Sequence, residues 1–417
     1  MSDKKVIVIG AGIVGLSTAY FLHQKGIEVT VIDNTDGNDN CSFGNAGYVS
    51  PSHIIPLASP GIISQGLKWM LNPESPFYIK PRLNRDLIRW GLLFKKAATQ
   101  ARVRASAKVL NALTVQSQKL YEEILKEESI EAGYNKPGLL MVCKTEAALH
   151  HEAELVKMAQ SFGLDAEMLT REETEKMEPE VEYNTVGSVY FGCDGWMTPH
   201  LFMQEFKQRL ISAGIDIRFN TTLKEILHNG SKVDRLITSE GELVADDYVL
   251  TAGAWTPLLM KQLKVDIPLQ AGKGYSIVLP KPVVIPKMPS ILVEGSIATT
   301  PMMHGLRFAG TMEIAGTQLD VNQRRVQGII KGVKDFMPQF RDEDFSKVEP
   351  WAGLRPCTPD GLPYIGRTQR YKNLLVGTGH AMLGWTLGPI TGQMLAEDIA
   401  GETPSIESPL LAVERYA

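Results

Sequence analysis

Four consecutive apolar residues, Val6 to Ile9, run into Gly10-Ala11-Gly12-Ile13-Val14-Gly15, and a second apolar stretch (Val29, Val31, Ile32) stops at Asp33. The pattern predicts strand, glycine turn, helix, strand and terminal acid, the order of a dinucleotide-binding βαβ unit. Each glycine has its own task in such a unit. Gly10 permits the tight turn, Gly12 lets backbone N–H groups approach a pyrophosphate, and Gly15 lets the helix pack close to the strand. The helix N-terminus, at Ile13 and Val14, presents its partial positive charge to the phosphates. Asp33, eighteen residues after Gly15, carries a carboxylate suited to a ribose diol. An ordinary buried βαβ crossover would share the apolar runs and leave the glycine spacing unexplained.

Beyond Asp33 the periodicity lapses. Asn34 to Asn40 is polar, and Cys41-Ser42-Phe43-Gly44-Asn45-Ala46-Gly47-Tyr48 is rich in small residues whose backbone can lie flat against a large ligand. Residues 54–81 carry Pro56, Pro60, Pro73, Pro76 and Pro81, which predicts a long irregular connection with one short helix around Ile63–Leu71. Leu110, Leu113, Leu120 and Ile124 recur at helical spacing, and helix is expected from about Asn84 to Glu127. Gly138 to Cys143 reads as strand, Thr145 to Phe162 as helix, and Thr170 with Glu173 as a capping box.

Val186 to Phe191 is strand-like, and Thr198-Pro199 opens a helix to about Ala213. Strands are expected at Ile215–Phe219, Thr221–His228, Val233–Ser239 and Asp246–Leu250. The last ends in a second small-residue turn, Thr251-Ala252-Gly253-Ala254-Trp255, which belongs beside the first glycine turn. Further strands are expected at Ser276–Leu279, Ile291–Glu294, Leu306–Thr311 and Met312–Ala315, then helix at Asp320–Phe336. The chain closes with an apolar run through Leu374-Leu375-Val376, the turn Gly377-Thr378-Gly379-His380, and a helix near Pro389–Ile399.

Composition changes this picture in a few places. The length of 417 residues leaves room for two or three domains, and a net charge of −4 argues against a nucleic-acid partner. No apolar stretch is long enough to span a membrane, and the first apolar run, broken by glycines, does not read as a secretory signal, so a cytoplasmic protein is expected. Cys41, Cys143, Cys193 and Cys357 are scattered, which points to neither a disulfide framework nor a metal site. Arg82, Arg85, Arg89, Lys95, Lys96, Arg102, Arg104 and Lys108 are opposed in sequence only by Asp86 and alternate with Leu87, Ile88, Trp90, Leu92, Leu93 and Phe94. That segment suits a helix packing its apolar side inward, or one lying on anionic lipid at the inner face of a membrane.

Several further stretches carry a resemblance: Gly44-Asn45-Ala46-Gly47 with Ser50-Pro51, Gly66-Leu67-Lys68-Trp69-Met70 and Lys273-Gly274-Tyr275-Ser276. The most specific are Trp351-Ala352-Gly353-Leu354-Arg355-Pro356-Cys357-Thr358-Pro359-Asp360-Gly361 and Thr378-Gly379-His380-Ala381-Met382-Leu383-Gly384-Trp385-Thr386. With these the chain resembles, almost end to end, the D-amino acid oxidase family of flavoproteins and within it the D-amino acid dehydrogenase branch. The resemblance implies an α/β and α+β fold in which a Rossmann-like FAD-binding domain is interleaved with a substrate domain on a mixed or antiparallel sheet. The expected division is 1–83, 187–263 and 350–417 for FAD, and 84–186 and 264–349 for substrate.

The resemblance also implies site residues. Arg355 matches the arginine that grips a substrate carboxylate, a task suited to a planar bidentate fork. Tyr275, His380, Tyr48 and His53 are the other expected active-site side chains. FAD is expected against Gly10, Gly12, Ile13, Val14, Gly15, Asp33 and Asn34, and against Cys41, Ser42, Asn45, Ala46 and Gly47. The same expectation covers Thr251, Ala252, Gly253 and Trp255, and Gly379, His380, Leu383, Gly384, Trp385 and Thr386. Gly353 stands where sarcosine-oxidase-like relatives carry a flavin-linking cysteine, so the cofactor is expected to be noncovalent.

The implied reaction is hydride transfer from the Cα of a D-amino acid, proline-like substrates included, to flavin N5. It gives an imino acid and then a 2-oxo acid, without an essential general base, and electrons pass to a quinone or carrier. Two readings compete: an oxygen-dependent amine oxidase of the glycine or sarcosine type, and a nicotinamide-dependent dehydrogenase or noncatalytic nucleotide-binding module.

Overall fold

Lys5–Ile9 is the inner strand around which a six-stranded sheet is built. Glu28–Ile32 pairs with it on one side and Asp247–Leu250 on the other, both in parallel. Asp216–Arg218 extends the first side and Leu374–Thr378 the second, again in parallel, and Tyr364–Arg367 closes that edge antiparallel. The centre is apolar at every position after Lys5 because both faces are covered. Val6 and Val8 enter one core, Ile7 and Ile9 the other. Helix Ile13–Gln24 lies against the closing helix Gly388–Ala400, and small residues set their separation. A Cβ on Gly392 would lie 2.5 Å from the Ser17 backbone. The structure, a computed structural model, describes residues 4–70, 72 and 74–416.

The second sheet has nine strands among the described residues. From one edge they run Trp351–Cys357, Gln270–Leu279, Gly305–Ile314, Ile297–Met302, Ser290–Leu292, Leu139–Cys143, Gly187–Phe191 and Ala166–Thr170, with Phe77–Ile79 paired to Gly305–Ile314. Most neighbours are antiparallel; Ser290–Leu292 with Leu139–Cys143 is parallel, so the sheet is mixed, as expected. The fold is thus a doubly covered parallel sheet joined to a large mixed sheet.

Several elements differ from expectation for identifiable reasons. Helix over Asn84–Glu127 is two helices, Arg85–Ala97 and Gln100–Glu127. Asn84 caps the first through Asp86 N and Leu87 N, and Thr99 caps the second through Arg102 N; the apolar spacing continues across the break and hides it. The two strands expected between Leu306 and Ala315 are one, Gly305–Ile314. Ile297–Met302 escaped the sequence reading because Pro301 argues against an interior strand, and Ala166–Thr170 because it is a half-polar edge. The short helix runs Ile62–Met70; Leu71 and Pro73 lie outside the described residues. The capping box forms, with Thr170 N donating to Glu173 and Glu173 N to Thr170 Oγ1. Strands Gly187–Phe191 and Trp351–Cys357, assigned from sequence to the FAD-binding segments, are hydrogen-bonded into the larger sheet.

Candidate active site

A cavity of about 1150 Å³ is lined from both sheets. At one end the glycine turn forms its wall. Gly10 has φ +111°, and a Cβ there would meet the Thr251 carbonyl oxygen at 2.8 Å. A Cβ on Gly15 would lie 1.8 Å from the Gly10 oxygen, so helix and strand touch through bare backbone. Ser42 Oγ accepts from Ile13 N at 3.0 Å, which adds a hydroxyl to the helix N-terminus. Asp33 is already engaged: Oδ2 accepts from Ala11 N at 2.6 Å, and Oδ1 from Thr35 N at 2.8 Å and Thr35 Oγ1 at 2.6 Å. Oδ2 keeps a lone pair for a ribose hydroxyl. A bare-backbone cradle, a helix N-terminus without an acid in its first turn and an acid at the next strand end fit a dinucleotide of FAD size.

The loop over the cavity is fastened from beneath. Arg307, buried in the large sheet, donates through Nη1 to Asn45 O and, at 3.4 Å, to Phe43 O. Thr300 Oγ1 donates to Ala46 O at 2.7 Å, and Ser276 Oγ to Gly44 O at 3.3 Å. Burial pulls the Arg307 guanidinium down to about 10. The sequence reading missed Arg307, since its acceptors lie more than two hundred residues away.

Of the residues expected against the cofactor, nearly all line the cavity, namely Gly10, Gly12, Ile13, Val14, Asp33, Asn34, Cys41, Ser42, Asn45, Ala46, Thr251, Ala252, Gly253, Trp255, His380, Leu383, Gly384, Trp385 and Thr386. Gly15, Gly47 and Gly379 sit behind the lining, packed against Gly10, Met197 and Thr358. Arg355, Tyr275, Tyr48 and His53 are also brought to the cavity.

Arg355 stands on the edge strand opposite Gly272, and its guanidinium lies over the neighbouring Gly274. A Cβ at Gly274 would be 2.1 Å from Nη1. The adjacent ladder slips at this point: Lys273 pairs with Glu313 and Tyr275 with Gly310, leaving Thr311 and Met312 opposite Gly274. Thr311, at φ +69°, turns its carbonyl to accept from Arg355 Nη1 at 2.6 Å. Burial lowers the guanidinium pKa, and no carboxylate among the described residues pairs with it. A half-buried cation with spare donors faces the cavity.

The two tyrosines line the cavity with their hydroxyls already committed. Tyr275 is buried and donates its hydroxyl to Glu313 at 3.0 Å, and Tyr48 donates to Ser290 O at 2.8 Å and Thr299 O at 2.9 Å. Each phenol proton is spent inside the protein. His380 turns Nε2 to Thr391 Oγ1, at 2.9 Å, on the closing helix. Burial drops its pKa to about 3 from the ordinary 6.5. The unfolded chain therefore binds a proton over that window that the folded chain refuses, and stability falls as pH drops from 6.5 towards 3. His380→Gln is expected to reduce the slope of Tm against pH by one proton across it. An unaltered slope would show that other groups set the acid response.

His53 belongs to a constellation of which the sequence reading saw only one member. Asp194, fully buried, accepts from Ser52 N at 2.9 Å and Ser52 Oγ at 2.6 Å, and Ser52 Oγ lies 3.2 Å from His53 Nδ1. Because Ser52 gives its only hydroxyl proton to Asp194, His53 Nδ1 must be the donor to Ser52. In the neutral ring Nε2 is then the acceptor nitrogen. The serine is held opposite to the polarity of a nucleophilic triad, in which it would donate to histidine. Burial lowers the His53 pKa, and Asp194 pulls the other way.

The sequence profile described as "DAO: FAD dependent oxidoreductase" matches residues 5–398. A protein named D-amino acid dehydrogenase from Granulibacter bethesdensis is 34% identical, over 99% of this chain and all of its own length. One of the same name from Bradyrhizobium diazoefficiens is 32% identical over 99% of each. Among solved structures, glycine oxidase from Geobacillus kaustophilus superposes with a TM-score of 0.81 at 19% identity, covering 99% of this chain and 100% of its own. L-proline dehydrogenase from P. horikoshii gives 0.75 at 19% identity, covering 99% and 97%. These two likenesses concern the fold.

Proposed function

The chain belongs to the DAO family of FAD dependent oxidoreductases, and on that premise we propose that it is a dehydrogenase of D-amino acids with noncovalent FAD. The observation that carries the site assignment is Arg355, a cation facing the cavity with no carboxylate partner among the described residues. A substrate carboxylate supplies the missing anion, bound by the free edge of the fork while Thr311 O holds the other side. His53 Nε2 accepts a hydrogen bond from the α-amine, and Asp194 and Ser52 fix the ring tautomer that makes it an acceptor. The buried phenols of Tyr48 and Tyr275 shape the wall without exchanging protons. FAD, when bound, supplies the acceptor for the Cα hydride. The neutral amine's lone pair forms the C=N bond as the hydride leaves, and water converts the resulting iminium to a 2-oxo acid and ammonium; a proline-like substrate gives one proton to solvent and stops at the cyclic imine.

The test is an anaerobic titration of the purified yellow protein with paired D- and L-amino acids, D-proline, glycine and sarcosine. Bleaching by D-forms is expected. Bleaching confined to L-forms, glycine or sarcosine would overturn the reading, and peroxide formed at the turnover rate in air would replace a carrier by oxygen.

Electrons leave, in this proposal, to a quinone or carrier at an anionic membrane surface. No helix among the described residues is long and apolar enough to cross a membrane. Helix Arg85–Ala97 instead exposes Ile88 (54%) and Leu92 (66%) beside the exposed Arg85, Lys95 and Lys96. Its inner side carries Trp90, which donates to Cys357 O and lines the cavity with Phe94. Part of the basic charge is spent internally, on Arg89–Asp266 and Arg102–Asp360. Flotation with anionic liposomes at low salt is expected, and Leu92→Asp is expected to reduce the bound fraction about tenfold. Failure to float with anionic lipid would remove the membrane from the proposal.

A further inference from the structure

Glu152 lines the same cavity far from the glycine turn. It lies on helix Glu146–Ser161 facing the large sheet, only 5% exposed, and its Oε2 has no hydrogen-bond partner among the described residues. A buried carboxylate oxygen left unpaired is costly unless something arrives to pair with it. Its acidic neighbour does not share the vacancy. Glu294 accepts from Lys144 N at 3.1 Å, Thr145 N at 2.9 Å and Thr145 Oγ1 at 2.8 Å, capping the start of that helix. Burial with Glu294 nearby lifts the Glu152 carboxyl to about 7, so an arriving cation would find a group ready to ionise.

The sheet provides a ruler between Glu152 and Arg355. Ala309 pairs with Ala298, Ala298 with Ile291, and Ile291 with Met141, and all four line the cavity. The Arg355 guanidinium sits at Thr311, on the first of these strands, and Glu152 stands on the helix packed against the last. Three interstrand spacings separate those two strands, or ~14 Å. A small amino acid clamped at Arg355 leaves that distance empty. A long one, extended and hydrogen-bonded at each end, fills it across an apolar floor of Ala298, Ile291 and Met141.

We propose that Glu152 is the receptor for a terminal cation, ammonium or guanidinium, on the substrate side chain, and that this chain prefers long basic amino acids. The inference rests on the amino-acid oxidation reading and deepens it. The first measurement compares anaerobic flavin bleaching by D-lysine and D-arginine with bleaching by D-norleucine, in wild type and Glu152→Gln. The wild type is expected to prefer the basic substrates, and the variant to lose roughly thirtyfold of that preference, read as the ratio of kcat/KM for D-lysine to that for D-norleucine. The second measurement needs no turnover. ε-Aminocaproate, which is lysine without its α-amine, is expected to raise the Tm of the wild-type flavoprotein where caproate does not, and to lose the effect in Glu152→Gln. A wild type that prefers D-norleucine, or a variant with its substrate ratio unchanged, would overturn the proposal. So would ε-aminocaproate no better than caproate in wild type, an outcome read without any variant. If no D-amino acid bleaches the flavin while ε-aminocaproate binds through Glu152, the oxidation reading fails and the cation receptor stands.

Discussion

Arg355→Ala is expected to lower kcat/KM for any α-amino carboxylate by roughly two to three orders of magnitude, measured in steady state with an artificial electron acceptor. Most of the loss falls on KM, because the clamp holds the carboxylate before and during hydride transfer alike. A smaller share falls on kcat, since an unclamped substrate no longer keeps its Cα–H aligned. Arg355→Lys is expected to recover little: a single ammonium cannot hold Thr311 O and a carboxylate as a planar fork does. Stability is expected to move the other way or not at all. The guanidinium is desolvated and, among the described residues, paired with a backbone carbonyl alone, so its removal relieves a buried charge. A large fall in Tm with kcat/KM intact would identify Arg355 as an anchor for the Thr311 bulge and nothing more.

Gly15→Ala is expected to yield protein without flavin. The added methyl would lie 1.8 Å from the Gly10 oxygen and 2.8 Å from Thr251 Oγ1, and Thr251 is itself tied to Ile9 O at 2.9 Å. Backbone on one side and a hydroxyl pinned to backbone on the other leave nothing flexible to give way. The helix must lift from the strand, carrying Ile13 and Val14 away from the phosphate position. The overpacking costs roughly 3 kcal/mol, so Tm falls as well. Visible absorbance per mole of protein is the measurement. Full flavin content in the variant would mean that the cofactor is held elsewhere.

The cradle was legible because its determinants are close in sequence. Gly10, Gly12, Gly15 and Asp33 lie within one βαβ unit, and their spacing alone carries the geometry. The carboxylate clamp proposed at Arg355 was legible only through the resemblance, since nothing in Gly-Leu-Arg-Pro says that Gly274 must lie beneath Arg355. What escaped depends on distant partners. Arg307, Asp194 and Glu152 are unremarkable charged residues until the large sheet places their neighbours. That the hydroxyls of Tyr48 and Tyr275 are committed inside the protein is likewise invisible in a sequence, which does not display the carbonyls and the carboxylate that accept from them. Even a correct hydrophobic period concealed the break at Ala98–Thr99, where two caps interrupt a pattern that continues in phase.

The parallel sheet around Lys5–Ile9 has a consequence for how the protein is made. Its inner strand leaves the ribosome well ahead of the strands beside it: Asp247–Leu250 lies more than two hundred residues downstream, and the next, Leu374–Thr378, more than three hundred. At ordinary translation speeds the apolar Val6-Ile7-Val8-Ile9 segment waits roughly 20 to 75 seconds for the rest of its sheet. The cofactor cradle is therefore complete only after Leu374–Thr378 has been made, and the first apolar strand must be shielded until then. Slow decoding in the first half of the message would lengthen that exposure; slow decoding after Thr378 would not.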